Sequence, residues 1–397
     1  MKLNEKLLLL VIIFWIFNLP FILGRFFRLN YGLPEIPYQP FIFLGIPATL
    51  ILYRVFSLRK YKFPYFKYFI LVILPFSFIE FYNRPFYETN FEFVKQLSLT
   101  YLFFILIINI SRKKIIIKYI YKYTLISIFI NVMLNTLWHL GVINMANGNT
   151  FVLSQDGYIS RFGLGGVIQP NGLALTGAMA VLLLLISRKE SILKLSTLRN
   201  RLLIVFFISP IILNASRGST LILSLTLLVF VFYQRKIISF KEKVIGLFLF
   251  LLFSLSLSLK TFFLKANLVY RFTSETSLEE ARMQQIYNSL NNFYDNIFTG
   301  VGWGYAANGK DISDIFTSNF LYTQLLGSSG IFIFIFFIMF QYKLFGFFNI
   351  KNKDVKVVLF SFFGFFPWMF YNLSLTFPLS IIAVLCFYNK EKFFLIK

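Results

Sequence analysis

The sequence predicts an all-α fold: a polytopic transmembrane helical bundle of about twelve spans, with a long external loop that contains an amphipathic helix. Composition points there first, since 58% of the 397 residues are hydrophobic and 20% aromatic. A soluble domain lies nearer half apolar. The apolar residues are also gathered into runs of the length a bilayer needs, roughly 20 residues for roughly 30 Å of hydrocarbon. The third observation is the placement of the basic residues between those runs.

Candidate spans fall near 7–24, 40–57, 65–82, 97–110, 119–140, 167–187, 202–215, 218–233, 244–260, 320–341, 357–372 and 374–389. With the N-terminus inside and the spans alternating, the inner segments hold 27 basic and 5 acidic residues, and the outer segments 11 of each. All seven inner segments obey the positive-inside rule, which puts both chain ends in the cytoplasm. The formal charge of +23 is therefore a topology signal. In a soluble protein it would suggest nucleic acid as a partner, and here it does not. Residues 7–24 lack a small-residue cleavage site and read as a retained first helix. The whole of 1–397 reads as a single transmembrane domain, with 261–319 as the long external loop within it.

The chemistry this sequence excludes is as informative. One cysteine, Cys386, leaves no disulfide and no cysteine metal site. The lone histidine, His139, reads as an interfacial side chain, with a base as the alternative. The inner loops are short and carry no P-loop and no G-x-G-x-x-G, so no nucleotide site and no ATP-driven pump is expected. Span interiors are nearly free of charge, without the series of ionisable groups a proton relay requires. No metal site and no cofactor are expected.

The outer side holds two long segments, roughly 141–166 and 261–319, and loops of that length usually carry function. In the second, Ser277 and Glu280 have capping-box spacing. Met283, Ile286, Leu290, Phe293 and Ile297 then recur at steps of three and four, which predicts an amphipathic helix over about 278–298. It runs into Gly300-Val-Gly302-Trp-Gly304, where glycines permit a tight turn. Four arginines stand out on this side: Arg161, Arg217, Arg271 and Arg282. Each reads either as an interface anchor snorkelling to water or as a binding group, because a guanidinium keeps its charge and offers a planar fork matched to phosphate. Arg217 sits in a link too short to wander, and Arg282 borders the apolar face of its helix; both favour function. Arg271 fits either reading.

At these residues the chain resembles the O-antigen polymerase and O-antigen ligase superfamily of bacterial polysaccharide assembly. Four pieces occur in order over residues 161–331. Arg161…Gly165…Pro170-Asn171-Gly-Leu-Ala174 resembles the family's Arg/Gly…Pro-Asn-x-x-Ala start of a helix. Ala215-Ser216-Arg217-Gly218-Ser219 resembles its Ser-Arg-Gly motif between two spans. Arg282 followed by Thr299-Gly300-Val-Gly302-Trp-Gly304 resembles its Arg…Gly-x-Gly-x-Gly outer loop. Ser318-Asn319-Phe-Leu321…Leu326-Gly327-Ser-Ser-Gly330-Ile331 resembles the His-Asn-x-x-Leu…Gly-x-x-Gly segment that opens the next span. The first 140 residues match only in being helical spans.

The resemblance implies glycosyl transfer on the outer face of a bacterial cytoplasmic membrane, with a polyprenyl-diphosphate-linked oligosaccharide as donor. Membrane lipid and a chain-length regulator protein are the other implied partners. Arg217, Arg282 and Arg161 become the catalytic candidates. Asn171, Ser216, Arg271, Gly300, Gly302, Gly304, Ser318 and Asn319 become the substrate-binding ones. Asp156, Glu80, Glu279, Glu280 and His139 are candidates for the base on side and position alone. Ligases carry a histidine where this chain has Ser318, which leans the reading toward an O-antigen or capsule polymerase. The alternatives are a ligase acting on lipid A core, a flippase or transporter without covalent chemistry, and a structural subunit. A flippase would show internal pseudo-symmetry and a charged mid-membrane cavity, and neither is visible in the sequence.

The topology is open to direct test. Reporter fusions after residues 110, 195 and 350 are expected to read cytoplasmic, and those within 150–160 or 290–315 external. An external signal at 195, or a cytoplasmic one at 300, overturns the twelve-span reading.

Overall fold

The computed structural model describes residues 3–19, 53, 62–83, 92–110, 113–140, 142, 150–154, 157–161, 170–214, 216–233, 277–303, 320–346, 355–369 and 376–394. Eleven α-helices occur among them: α1 Leu3–Ile16, α2 Phe66–Asn83, α3 Glu92–Ile108, α4 Lys113–His139, α5 Pro170–Glu190, α6 Thr197–Leu213, α7 Arg217–Tyr233, α8 Ser277–Asp295, α9 Leu321–Phe345, α10 Val355–Phe365 and α11 Thr376–Phe394. A short 3₁₀ turn, Phe366–Met369, follows α10. Ten of the twelve expected spans coincide with a described helix. The segments 40–57 (Tyr53 apart) and 244–260 lie outside the described residues. By length and composition two helical runs among the described residues, α4 and Leu321–Phe345 of α9 (which Gly330 interrupts), are long and apolar enough to cross a membrane; α3, α5, α7, α10 and α11 contribute shorter apolar stretches.

The departure from an all-α reading is an antiparallel two-stranded ribbon, β1 Thr150–Ser154 and β2 Gly157–Arg161, with Thr150 opposite Arg161 and Ser154 opposite Gly157. It occupies the first long outer segment. Its sequence joins two β-branched and aromatic runs through Asp156-Gly157, a pair that favours hairpins.

The chain divides into two compact units. In the first, α1 and α4 run side by side in the same direction. Lys6 Nζ lies 5.2 Å from the Tyr119 ring centroid near the start of both helices, and Asn131 Nδ2 donates to the Phe17 carbonyl past the end of α1. Helix α5 is the core of this unit, with every residue from Gly172 to Leu184 buried. It meets α6 where Gly177 lies beneath Phe207 and Pro210; a Cβ there would sit 2.4 Å from the Phe207 carbonyl oxygen. Small residues allow backbones this close, which is how helices gain packing where no hydrophobic effect drives them together.

The second unit packs α2, α3, α8, α9 and α11, with the C-terminal part of α10. Stacked and edge-on rings fill its core: Phe69 on Tyr101 at 4.3 Å, Phe340 at 6.1 Å from Phe69, and Phe104 edge-on to Phe387 at 5.8 Å. Helix α2 runs antiparallel to the second part of α9, and α3 runs parallel to α11, whose Tyr388 hydroxyl donates to the last carbonyl of α3, that of Ile108.

The helices are apolar on their outer faces as well. In α1, Leu9, Ile12, Ile13 and Ile16 are buried while Leu3, Leu7 and Val11 are exposed. Helix α2 exposes Leu71, Leu74 and Phe78, and α4 exposes Ile126, Phe129 and Met133. These spacings of three and four residues draw continuous apolar stripes, the pattern of a helix surrounded by lipid. Ile126 lies at the middle of α4, so Ile126→Asp is expected to cost about 2.5–3.5 kcal/mol of membrane insertion. The measure is the yield of folded protein in the membrane fraction, with Ile126→Leu as the control. Equal yields would place that stripe against water.

Candidate functional site

The residues singled out by the sequence divide between the two units, and each half has its own geometry. In the first unit, Arg161 closes β2. Pro170 takes the first position of α5, where its missing N–H costs nothing, and Asn171 follows it. Arg217 is the first residue of α7. The described residues of the link before it are buried and polar, Asn214 fully and Ser216 at 1% exposure, and Ser219 in the first turn of α7 is fully buried too. The Ser216 hydroxyl lies 3.0 Å from that of Ser219, and the Ser216 carbonyl accepts the Thr220 hydroxyl at 2.8 Å. The Ser216 N–H donates back to the Ile211 carbonyl at 3.1 Å. Helix α6 is thus closed off and α7 opened within three residues, and Arg217 follows from a fixed backbone.

In the second unit the striking departure from a simple span is α9, because Gly330 breaks it at φ 71°, ψ −179°. Tyr322 lies before the break, and its hydroxyl is 3.1 Å from both Gln341 Oε1 and the Phe365 carbonyl. Tyr322 and Gln341 are 19 residues apart, which in a straight helix would be about 28 Å. The first arm, Leu321–Ser329, therefore folds back along the second, Ile331–Phe345. A single apolar run in the sequence is two antiparallel arms in the structure.

A broken helix leaves unpaired carbonyls at the end of one arm and unpaired N–H groups at the start of the next. Here the turn after α8 supplies both partners. Val301 N–H donates to the Gly327 carbonyl at 3.1 Å, and Gly302 N–H to the Ser328 carbonyl at 2.9 Å. In the other direction, Ile331 N–H donates to the Ile297 carbonyl at 2.8 Å. The backbones touch so closely that side chains are excluded on both sides. A Cβ on Gly300 would lie 2.3 Å from the Ser328 carbonyl, and one on Gly330 would lie 2.5 Å from the Phe298 oxygen. Both residues also have positive φ. The two glycine motifs of the sequence are the two halves of one interlock.

Glu80 of α2 completes it. Its carboxylate is fully buried and accepts the backbone N–H of Trp303. The Trp303 ring is 2% exposed, 5.3 Å from Phe93 and 6.4 Å from Phe76. Sequence position made Glu80 a candidate base; the geometry gives it the task of holding the glycine turn. The backbone N–H groups of Gly300 and Gly302 donate to the Asn296 and Ser328 carbonyls. Helix α8 forms as expected, but its buried face centres on Ser289, while Met283, Tyr287 and Tyr294 are exposed. It is rotated from the face that apolar periodicity alone suggests, with two tyrosines in the exposed position an interfacial helix favours. Arg282 lies in its second turn. Arg271, Gly304, Ser318 and Asn319 lie outside the described residues.

Sequence reasoning missed Asn135 of α4, which is fully buried and accepts a hydrogen bond from Asn214 at 3.1 Å. Its signal was present: Thr124, Ser127, Asn131 and Asn135 share one face of an otherwise apolar helix. No protein-family model matches this chain, and no curated protein matches it.

The interlock is testable through its glycines. Gly330→Ala and Gly300→Ala are each expected to lower stability by about 2–3 kcal/mol, from positive φ plus overpacking. Thermal unfolding in detergent reports it. Because both variants open the same contact, the double variant should lose less than the sum. Full additivity, or an unchanged melting temperature for Gly330→Ala, would dissolve the interlock.

Proposed function

We propose that this protein is a polysaccharide polymerase that joins polyprenyl-diphosphate-linked oligosaccharide repeat units on the outer face of the bacterial cytoplasmic membrane. The observation that carries this reading is the ordered set of motifs between Arg161 and Ile331, all on the side that the basic residues mark as external. Their physical coherence supports it. The glycine turn and the Gly327–Gly330 segment, separate in the sequence, are hydrogen-bonded partners. Arg282 sits on the helix that this interlock terminates, and Arg217 opens a helix from a buried link. The apolar outer faces of α1, α2 and α4 support a membrane-embedded chain, and the basic inner segments are the argument for both ends in the cytoplasm.

In this reaction the acceptor hydroxyl oxygen forms a bond to the anomeric carbon of the donor. The bond from that carbon to the diphosphate breaks, the electron pair leaves on the diphosphate, and the hydroxyl proton passes to a base or to water. Cleaving the sugar–diphosphate bond drives the transfer without ATP or a nucleotide sugar. The arginines that the resemblance singles out, Arg217, Arg282 and Arg161, are each proposed as a donor to the charge that builds on the leaving diphosphate. Removing one such donor typically costs about 2.7–4 kcal/mol of transition-state stabilisation.

Purified protein in nanodiscs, supplied only with a polyprenyl-diphosphate-linked repeat unit, is expected to lengthen it into a ladder with EDTA present and no ATP. Arg217→Ala and Arg282→Ala should abolish the ladder at unchanged protein level. Lysine should rescue poorly, since a point charge does not reproduce a fork on phosphate. Elongation that stops on chelation and returns with a divalent metal would move the electrostatic role from the arginines to that metal. Transfer of preformed polymer to lipid A core, with no ladder, would make the chain a ligase despite Ser318. Surface display of single repeat units in a deletion strain marks a polymerase, and loss of all surface sugar marks a flippase.

A further inference from the structure

Helix α4 carries buried polar side chains along one face. Thr124, Ser127, Asn131 and Asn135 lie within about 80° in projection, and none is more than 3% exposed. Helical hydroxyls elsewhere return to their own helix, as Thr136 does to Val132 and Thr226 to Ile222. Thr124 Oγ1 and Ser127 Oγ make no such bond, and Asn135 Nδ2 has no partner among the described residues. Native interiors hold few unsatisfied buried groups, and each calls for an explanation.

The outer end of this face explains itself by what it touches. Asn214 Nδ2 donates to Asn135 Oδ1 at 3.1 Å, both residues being fully buried. Asn214 is the C-cap of α6, with its backbone N–H on the Pro210 and Ile212 carbonyls. The bonds of Ser216 to Ile211 and Ser219 tie the link to the two helices it joins. The Asn214–Asn135 bond ties it to a third, and α4 packs directly against α6. That bond sets the height of the link, and hence of the first turn of α7, against the longest helix of the unit.

We propose that Asn135 is a positioning residue for Arg217, acting through Asn214. The inference rests on the catalytic reading of Arg217. A guanidinium that must meet a diphosphate in transit needs its backbone fixed, since a misplacement of about 1 Å far from the chemistry can cost ~10²-fold in rate. Asn135→Leu removes the acceptor of the Asn214 bond.

The test uses the full-length protein in nanodiscs. In Asn135→Leu, kcat for elongation is expected to fall about 10–100-fold with KM little changed. Amide exchange over residues 211–220 should rise about tenfold for the loss of one buried hydrogen bond, and the melting temperature should fall. The Asn135→Leu/Asn214→Leu double variant removes both partners of this bond, which costs less than removing one of them. It should regain the melting temperature while kcat stays low, which a merely structural role would not produce. Recovery of both together, or unchanged exchange and kcat in Asn135→Leu, overturns the proposal. Arg217→Ala run alongside separates the two levels: wild-type elongation there removes the catalytic reading itself. The exchange measurement needs no substrate and judges on its own whether Asn135 holds the link.

Discussion

The second unit depends on how backbone polar groups are satisfied where α9 breaks. At Gly330 the helix gives up its own ladder, and in an apolar surrounding each unpaired N–H or carbonyl costs several kcal/mol. The turn Ile297–Gly302 answers with two donors and one acceptor in register with the exposed groups of the two arms. Everything nearby follows from that match. The backbones must approach without side chains, hence glycine at 300 and 330. The turn must be held at its far end, hence Glu80 on the Trp303 N–H. Helix α8 must end where the turn begins, and it does, with Gly300 N–H on the Asn296 carbonyl at 2.9 Å.

The first unit meets the same constraint differently. Its described helices are unbroken, and two buried amide side chains of α4 bond to neighbouring elements: Asn131 to the Phe17 carbonyl and Asn135 to Asn214. Such contacts are individually worth little in a membrane, on average about 0.6 kcal/mol. Their effect is geometric. They fix which turn of one helix lies beside which turn of the next, in a setting where apolar packing alone discriminates weakly between registers.

What was legible in the sequence follows from these physics. Hydropathy located helices such as α2, α5 and α7 to within a few residues, because a bilayer-length apolar run has few alternatives to a helix. Ser277 marked the start of α8, since capping chemistry is local. The break in α9 was not legible: Gly327-Ser-Ser-Gly330 lies inside an apolar run, and its partner is a turn 26–34 residues earlier in the chain. The ribbon at 150–161 was legible in Asp156-Gly157 between two β-rich runs, and a reading tuned to spans passed over it. The rotation of α8 was hidden because tyrosine serves either a core or an interface. For the candidate site, the motifs drew attention to the right segments. They could not distinguish a glycine that meets substrate from one that meets Ser328.

The interlock also has a consequence for how such a chain can diversify. Trp303 is held by Glu80 at one end, and Leu321 begins a buried arm at the other, so the intervening residues 304–319 are spliced between two fixed posts. Loop-closure entropy grows slowly, by roughly 0.6 kcal/mol for each doubling of length. The length of the segment between the posts can therefore change at little entropic cost while Trp303 and Leu321 stay where they are.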